Sequence, residues 1–202
     1  MSAVPKRRMT EDEYLAFEEA SETKHEFFGG AIFDMAGASV PHNDISTNLI
    51  VEIGSRLEGG SCHVYSYGKR VKVERTGLDT YPDLVIVDGP SAYVSDDAHT
   101  LMNPHVVFEI MPSERNAVGH RSRFEHYQTL PSVREYAWVC SSSKWVQRFV
   151  RQTDETWILT FFDDPAGAFS LVTVPVTIPL ADVYRDVEPV GEALRPAVQR
   201  ED

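Results

Sequence analysis

Cysteine is nearly missing from this chain of 202 residues. Cys62 and Cys140 stand alone, too few for a disulfide framework and without the paired spacing of a zinc site. They read as two buried, reduced thiols. Long apolar runs are missing too: no stretch of about eighteen apolar residues occurs, so no membrane helix is expected. The basic opening Lys6-Arg7-Arg8 runs into Glu11, Asp12 and Glu13, where a signal peptide would need an apolar segment. The expectation is a cytoplasmic protein with no membrane partner. Positive charge is also short: 19 Lys and Arg face 31 Asp and Glu, for a formal net charge of −12. That balance favours solubility and opposes nonspecific attraction to polyanions.

Several familiar catalytic signatures are missing as well. There is no phosphate-cradling glycine loop, no G-x-S-x-G elbow and no paired-histidine metalloprotease motif. The seven histidines are scattered. Trp138, Trp145 and Trp157 fall on strand-like segments and read as packing rather than a base-stacking platform. What remains is 42% apolar content in a length that closes one sizeable core. Residues 1–189 are expected to form one domain, with 190–202 as a polar tail.

The chain is punctuated by legible signals. Thr10 with Glu13 three residues on has the form of a capping box for a helix running to about Ala20. Gly29-Gly30 between Lys24–Phe28 and Ala31–Met35 reads as a two-residue hairpin. From His42 to Leu57, Ile45, Leu49, Ile50, Ile53 and Leu57 recur at helical spacing. Cys62–Tyr67, Lys69–Arg75, Asp83–Asp88 and His105–Met111 read as strands that join the hairpin in a mixed sheet. A helix over Ala117–Thr129, ended by Pro131, leads into a strand over Glu135–Cys140 as a β-α-β passage. Trp145–Arg151 and Thr156–Phe162 form a hairpin, followed by a strand over Phe169–Val176 and a short helix from Pro179.

Three acidic residues occupy unusual places. Asp83 opens the apolar strand Leu84-Val85-Ile86-Val87, Glu109 interrupts Val106-Val107-Phe108-Glu109-Ile110-Met111, and Glu26 precedes Phe27-Phe28. A lone buried carboxylate costs several kcal/mol unless it takes a partner or a proton, so each position asks for a cation, an arginine or a metal. A divalent ion held by two or three carboxylates polarises a phosphodiester and lowers the pKa of a bound water. A nearby Lys or Arg steadies the phosphoryl oxygens. The spacing alone equally fits a turn at Pro82-Asp83 and an ion-paired edge carboxylate. Lys69, Arg70, Lys72 and Arg75, with Arg115, Arg121 and Arg123, are candidates for a basic strip, with solvated surface charge as the alternative.

The order of these residues resembles the Uma family of restriction endonucleases, in the PD-(D/E)XK nuclease superfamily. The stretches that carry the likeness are His25-Glu26-Phe27-Phe28-Gly29-Gly30, Ser39-Val40-Pro41-His42, Thr80-Tyr81-Pro82-Asp83, Val107-Phe108-Glu109-Ile110-Met111-Pro112-Ser113, and the run from Arg123 to Tyr136. It covers residues 9 to 150. The resemblance implies an α/β, restriction-endonuclease-like mixed β-sheet flanked by helices, and a magnesium-dependent DNA endonuclease in which manganese substitutes for magnesium. Asp83 and Glu109 would hold the metal, Glu26 would complete the acidic cluster, and His42 would assist proton transfer or contact substrate, with helix capping as its alternative role. It also implies DNA as a partner and pairing into a homodimer.

The departures from the pattern are specific. Position 111 is Met where the superfamily places lysine. Arg123 and Gly119 stand where the family has a helical lysine and aspartate, and Met111-Pro112-Ser113-Glu114 replaces the usual Ser-Pro-Ser-Thr. Arginine keeps the charge but does not readily release a proton. A catalytically inactive nuclease fold serving as a binding or assembly module is therefore the second expectation.

Overall fold

The computed structural model describes residues 8–35, 37–94, 97–111 and 117–188; of residues 97–98 and 117–121 only the backbone is described. Arg115, the Arg121 side chain, Pro112-Ser113-Glu114 and the tail from Val190 lie outside the described residues.

The first helix, α1 (Glu11–Ala20), starts on the capping box: the Thr10 hydroxyl accepts the Glu13 N–H, and the Glu13 carboxylate accepts the Thr10 N–H. Strands β1 (His25–Phe28) and β2 (Ala31–Asp34) follow as a hairpin. Gly29 and Gly30 both take positive φ, 59° and 83°, which the two-residue turn demands. Helix α2 (Val40–Leu57) begins two residues before the expected start, because Ser39 caps it and Pro41 fits its first turn. Its buried stripe is Ile45, Leu49, Ile53 and Leu57.

The middle of the chain builds β3 (Cys62–Ser66), β4 (Arg70–Val73), β5 (Leu78–Thr80), β6 (Leu84–Asp88), β7 (Tyr93–Val94), β8 (Asp97–Leu101) and β9 (Val106–Met111). Helix α3 (Ala117–Tyr127) links β9 to β10 (Glu135–Cys140), and the two strands run parallel. The expected β-α-β passage is therefore present. Strands β11 (Val146–Arg151) and β12 (Trp157–Phe162) form the next hairpin. Of the expected strand over Phe169–Val176 only Phe169 and Ser170 are extended, in β13 (Ala168–Ser170); residues 171–176 form the turn to β14 (Thr177–Pro179), ahead of α4 (Leu180–Val183).

The strands do not join in one mixed sheet. Among the described residues they divide into two sheets of six strands, β2-β1-β5-β4-β8-β7 and β12-β11-β10-β9-β6-β3, and the separate β13–β14 pair. The physical reason is that β5, β7 and β8, short strands with no clear apolar alternation, extend the β1–β2 hairpin into a separate layer. Both sheets are mixed, since β4 pairs parallel with β8 and β9 with β10.

Two apolar clusters hold the layers together. On one face of the second sheet, Leu84, Ile86, Val106, Phe108, Ile110, Ala137 and Val139 pack against α2, α4 and the β13–β14 hairpin. On the other face, Val85, Val107 and Tyr136 meet Val71, Val73 and Leu78 of the first sheet and Tyr127 of α3. The strict alternation of side chains along a strand thus sends even-numbered residues of β6 and β9 to the first cluster and odd-numbered ones to the second. Each fully buried aliphatic side chain contributes about 1.5–3 kcal/mol. Trp145 is buried, and Trp157 packs on the second cluster, as expected of sheet tryptophans.

Candidate active site

The alternation that sorts the core also places the acids. Strand β6 pairs antiparallel with β9 in the register Leu84↔Phe108. One step further along, Asp83 stands opposite Glu109. Directly opposed residues project from the same sheet face, here the face that carries Val85 and Val107 toward the first sheet and α3. Asp83 and Glu109 are thus cross-strand neighbours though 26 residues apart.

Each oxygen of Asp83 has a donor. Oδ2 accepts the Ile110 N–H at 2.6 Å, and Oδ1 lies 2.7 Å from Nε2 of His42. The histidine comes from the first turn of α2, where its N–H is also the one capped by Ser39. Ser39, not His42, caps the helix, and the His42 ring is turned to Asp83. Burial lowers its pKa, but the hydrogen bond and charge of Asp83, with the charge of Glu109, outweigh this and raise it.

Glu109 is 1% exposed. Its Oε2 accepts a hydrogen bond from Nη1 of Arg123 at 3.0 Å, and Oε1 one from the Tyr127 hydroxyl at 3.3 Å. Arg123 and Tyr127 are four residues apart on α3 and so share one side of the helix. The guanidinium reaches a second acid, with Nη2 at 2.9 Å from Oε1 of Glu26 on β1. Thr80 of β5 also donates its hydroxyl to Glu26. Five elements, β1, β6, β9, α2 and α3, thus bring all five sequence-selected residues, Glu26, His42, Asp83, Glu109 and Arg123, to one locus.

Glu26 and Glu109 share the one Arg123 guanidinium, while Asp83 is held by His42. Burial pushes the Glu109 carboxyl up to about 8; Arg123 works against the rise, while Asp83 and Glu26 add to it. Burial disfavours the Arg123 cation, but Glu109 and Glu26 hold its pKa above the ordinary arginine value. At neutral pH, Glu109 either carries a proton or requires more cationic charge nearby.

A hard divalent cation fits this donor set in part. The ligating atoms are all carboxylate oxygens, and a magnesium ion needs only one or two of them beside water and substrate phosphate. Asp83 and Glu109 meet that requirement. Glu26, the third expected ligand, is engaged by Arg123 and Thr80. Among the described residues no group of three His, Cys, Asp or Glu side chains is disposed to hold a metal. Of the three acids, Asp83 and Glu109 are the two that stand side by side, with Glu26 turned to Arg123.

Among the described residues, several members of the expected basic strip are engaged elsewhere. Arg70 is 7% exposed, donating to Thr100 and Tyr81. Lys72 pairs with Glu11 of α1, and Lys69 lies over the rings of Tyr65 and Tyr93. Alternation in β4 turns Arg70 and Lys72 away from Val71 and Val73, toward α1. Sequence reasoning also missed Lys24, Tyr67, Thr80 and Tyr127. The β3–β6 register pairs Ser66 with Leu84, so the next step sets Tyr67 opposite Asp83. Pairing across strands carries that information, and a linear pattern does not.

Two sheets flanked by helices, with acids at the junction of the central strands, define a restriction-endonuclease-like α/β fold. The crystal structure of a "putative nuclease belonging to DUF820" from Anabaena variabilis ATCC 29413 superposes with a TM-score of 0.70 at 14% identity, covering 86% of this chain and 96% of that one. At that identity the likeness concerns the fold. Residues 11–181 match the model of the Uma2 family, described as "Putative restriction endonuclease". The chain belongs to the Uma2 family. Among its relatives, the uncharacterized protein slr1290 of Synechocystis sp. (strain ATCC 27184 / PCC 6803 / Kazusa) is 25% identical over 183 residues, 91% of this chain and 95% of that protein. A second from the same organism, the uncharacterized protein sll1609, is 26% identical over 156 residues, 75% of this chain and 86% of that protein. No helix among the described residues is long and apolar enough to cross a membrane.

Proposed function

We propose that this protein is a divalent-metal-dependent endonuclease that hydrolyses phosphodiester bonds in DNA, with magnesium as its metal and manganese as a substitute. The observation that carries the reading is the cross-strand pair Asp83–Glu109, two buried acids on one sheet face, with the Glu109 carboxyl pushed up to about 8 by burial. Membership of a family described as "Putative restriction endonuclease" supports the choice of DNA as substrate.

In this reading Asp83 and Glu109 hold the cation, which when bound polarises the phosphodiester and makes a water more acidic. The protein groups around them have separable tasks. The Ile110 N–H and His42 fix the two oxygens of Asp83, leaving little rotational freedom to lose when a ligand arrives. Tyr127 and Arg123 do the same for Glu109. Arg123 supplies a permanent positive charge beside the place where phosphoryl oxygens gain negative charge. Glu26 anchors the second arm of that guanidinium. His42, with its pKa raised, is a proton donor suited to the leaving oxygen.

Plasmid nicking in magnesium or manganese tests the reading. Wild-type protein is expected to nick supercoiled plasmid, chelation to stop it, and Asp83→Ala and Glu109→Ala each to abolish it. Equal nicking by wild type and both variants would mean a contaminating nuclease and end the proposal. A second reading, a non-catalytic module of the same fold, is favoured by Arg123, which bridges Glu26 and Glu109 as a fixed cation. Nicking that is undetectable in wild type but appears in an Arg123→Lys, Gly119→Asp double variant would place the defect in those two positions.

A further inference from the structure

Arg123 is committed to two carboxylates, Arg70 is buried in polar contacts and Lys72 pairs with Glu11. One cation is held differently, on the rings of Tyr67 and Tyr81 and within the field of the buried Glu18. Lys24 comes just before β1, two residues from Glu26, so alternation puts both on one side of the strand. Its ammonium lies 4.2 Å from the centre of the Tyr67 ring and 5.1 Å from that of Tyr81. Tyr67 is the register neighbour of Asp83 and is 49% exposed, so Lys24 stands at the solvent side of the row Tyr67, Asp83, Glu109. Among the described residues no carboxylate oxygen lies within 4.0 Å of it, the distance that defines the ion pairs of its neighbours.

The backbone beneath this amine is cut away to admit it. Gly68 has φ +124°, and a Cβ built there would come within 2.8 Å of Nζ of Lys24. A side chain at position 68 would therefore displace the ammonium. Aromatic faces hold a cation by their quadrupoles without consuming its N–H donors. A lysine held this way is positioned and still has three hydrogen bonds to give, which suits a compact anion arriving from solvent.

The geometry points to Lys24 as the side chain that engages a DNA phosphate at the mouth of the acidic site. This rests on the endonuclease reading above, and deepens it by naming the residue that receives the substrate backbone.

Binding is read without metal, so that activity is not the readout. A fluorescent DNA duplex is titrated in EDTA across a salt series with wild type, Lys24→Gln, Lys24→Arg and Arg56→Gln. Arg56 lies fourteen residues after His42, about 21 Å along α2, and controls for the change in net charge. Lys24→Gln is expected to bind about tenfold more weakly near 0.1 M salt, with a log K against log salt slope shallower by about 0.9, the share of one phosphate contact. Lys24→Arg should restore most of both, and Arg56→Gln should follow wild type.

Circular dichroism melts accompany each variant. If Lys24→Gln keeps the wild-type slope, the assignment of Lys24 is overturned while the endonuclease reading stands. If Lys24→Arg loses binding and melting temperature together with Lys24→Gln, the residue is structural and the assignment again falls. No duplex binding by wild type at any salt in EDTA would overturn this inference, and no binding in calcium either would overturn the reading it rests on.

Discussion

The buried acid at position 109 makes stability depend on pH in an unusual direction. An ordinary carboxylate near 4.5 is raised here to about 8 by burial and by its acidic neighbours. Between those values the unfolded chain has lost the proton and the folded protein keeps it. The folded state binds more protons, so stability falls as pH rises through this window. The group's contribution is fully present below about pH 4.5, declines toward pH 8 and is flat above. Between pH 5 and pH 9 the loss amounts to about 4 kcal/mol, on the scale of 1.36 kcal/mol per pKa unit.

Glu109→Gln keeps the shape and removes the titration, and Nε2/Oε1 of glutamine still meet Tyr127 and Arg123. Urea unfolding at pH 5, 7 and 9 in EDTA, for wild type and Glu109→Gln, measures the difference. The variant should gain on wild type steadily with pH, by about 4 kcal/mol over the range. Saturating magnesium should flatten the wild-type curve, because a bound cation holds the carboxylate ionised. Parallel pH curves for the two proteins in EDTA would refute the reasoning, since they would mean that Glu109 ionises in the folded state as easily as in the unfolded one.

Other perturbations test neighbouring parts of the account. Arg123→Met strands Glu26 and Glu109 without their cation, and should cost about 3–5 kcal/mol at pH 9; the cost should shrink at pH 5, where protons replace the guanidinium, as urea unfolding at the two pH values would show. Phe108→Ala empties a fully buried position between the second sheet and β13, and should lower unfolding free energy by about 3–5 kcal/mol. Thr10→Ala removes the capping-box hydroxyl at the start of α1 and should cost about 1 kcal/mol, measured the same way.

How far the sequence was readable depends on what kind of order carried the information. Helix starts are local, so Thr10-Glu13 and Ser39-Pro41 disclose α1 and α2, and Gly29-Gly30 discloses the first hairpin. The strands at β6, β9 and β10 are legible because they are continuous apolar runs buried on both faces. The split into two sheets was not. Strands β5, β7 and β8 are held by pairing with distant partners rather than by an apolar pattern of their own.

The same division applies to the candidate site. Glu26, Asp83 and Glu109 were conspicuous as charges in apolar surroundings, and Arg123 through the family resemblance. What could not be read was who holds whom. That Arg123 joins Glu26 to Glu109, and that Lys24 rests on Tyr67 beside Asp83, follow from register and layer stacking. The basic residues of β4 misled for a related reason, because alternation turns Arg70 and Lys72 toward α1.

Calorimetric titration of manganese into wild type, Asp83→Asn and Glu109→Gln addresses the carboxylate pair most directly. The account predicts one binding event in wild type that each single substitution abolishes, while Glu26→Gln retains it in weakened form. Binding that survives both substitutions, or none in wild type at millimolar manganese, would contradict the assignment of Asp83 and Glu109 as the metal-holding pair.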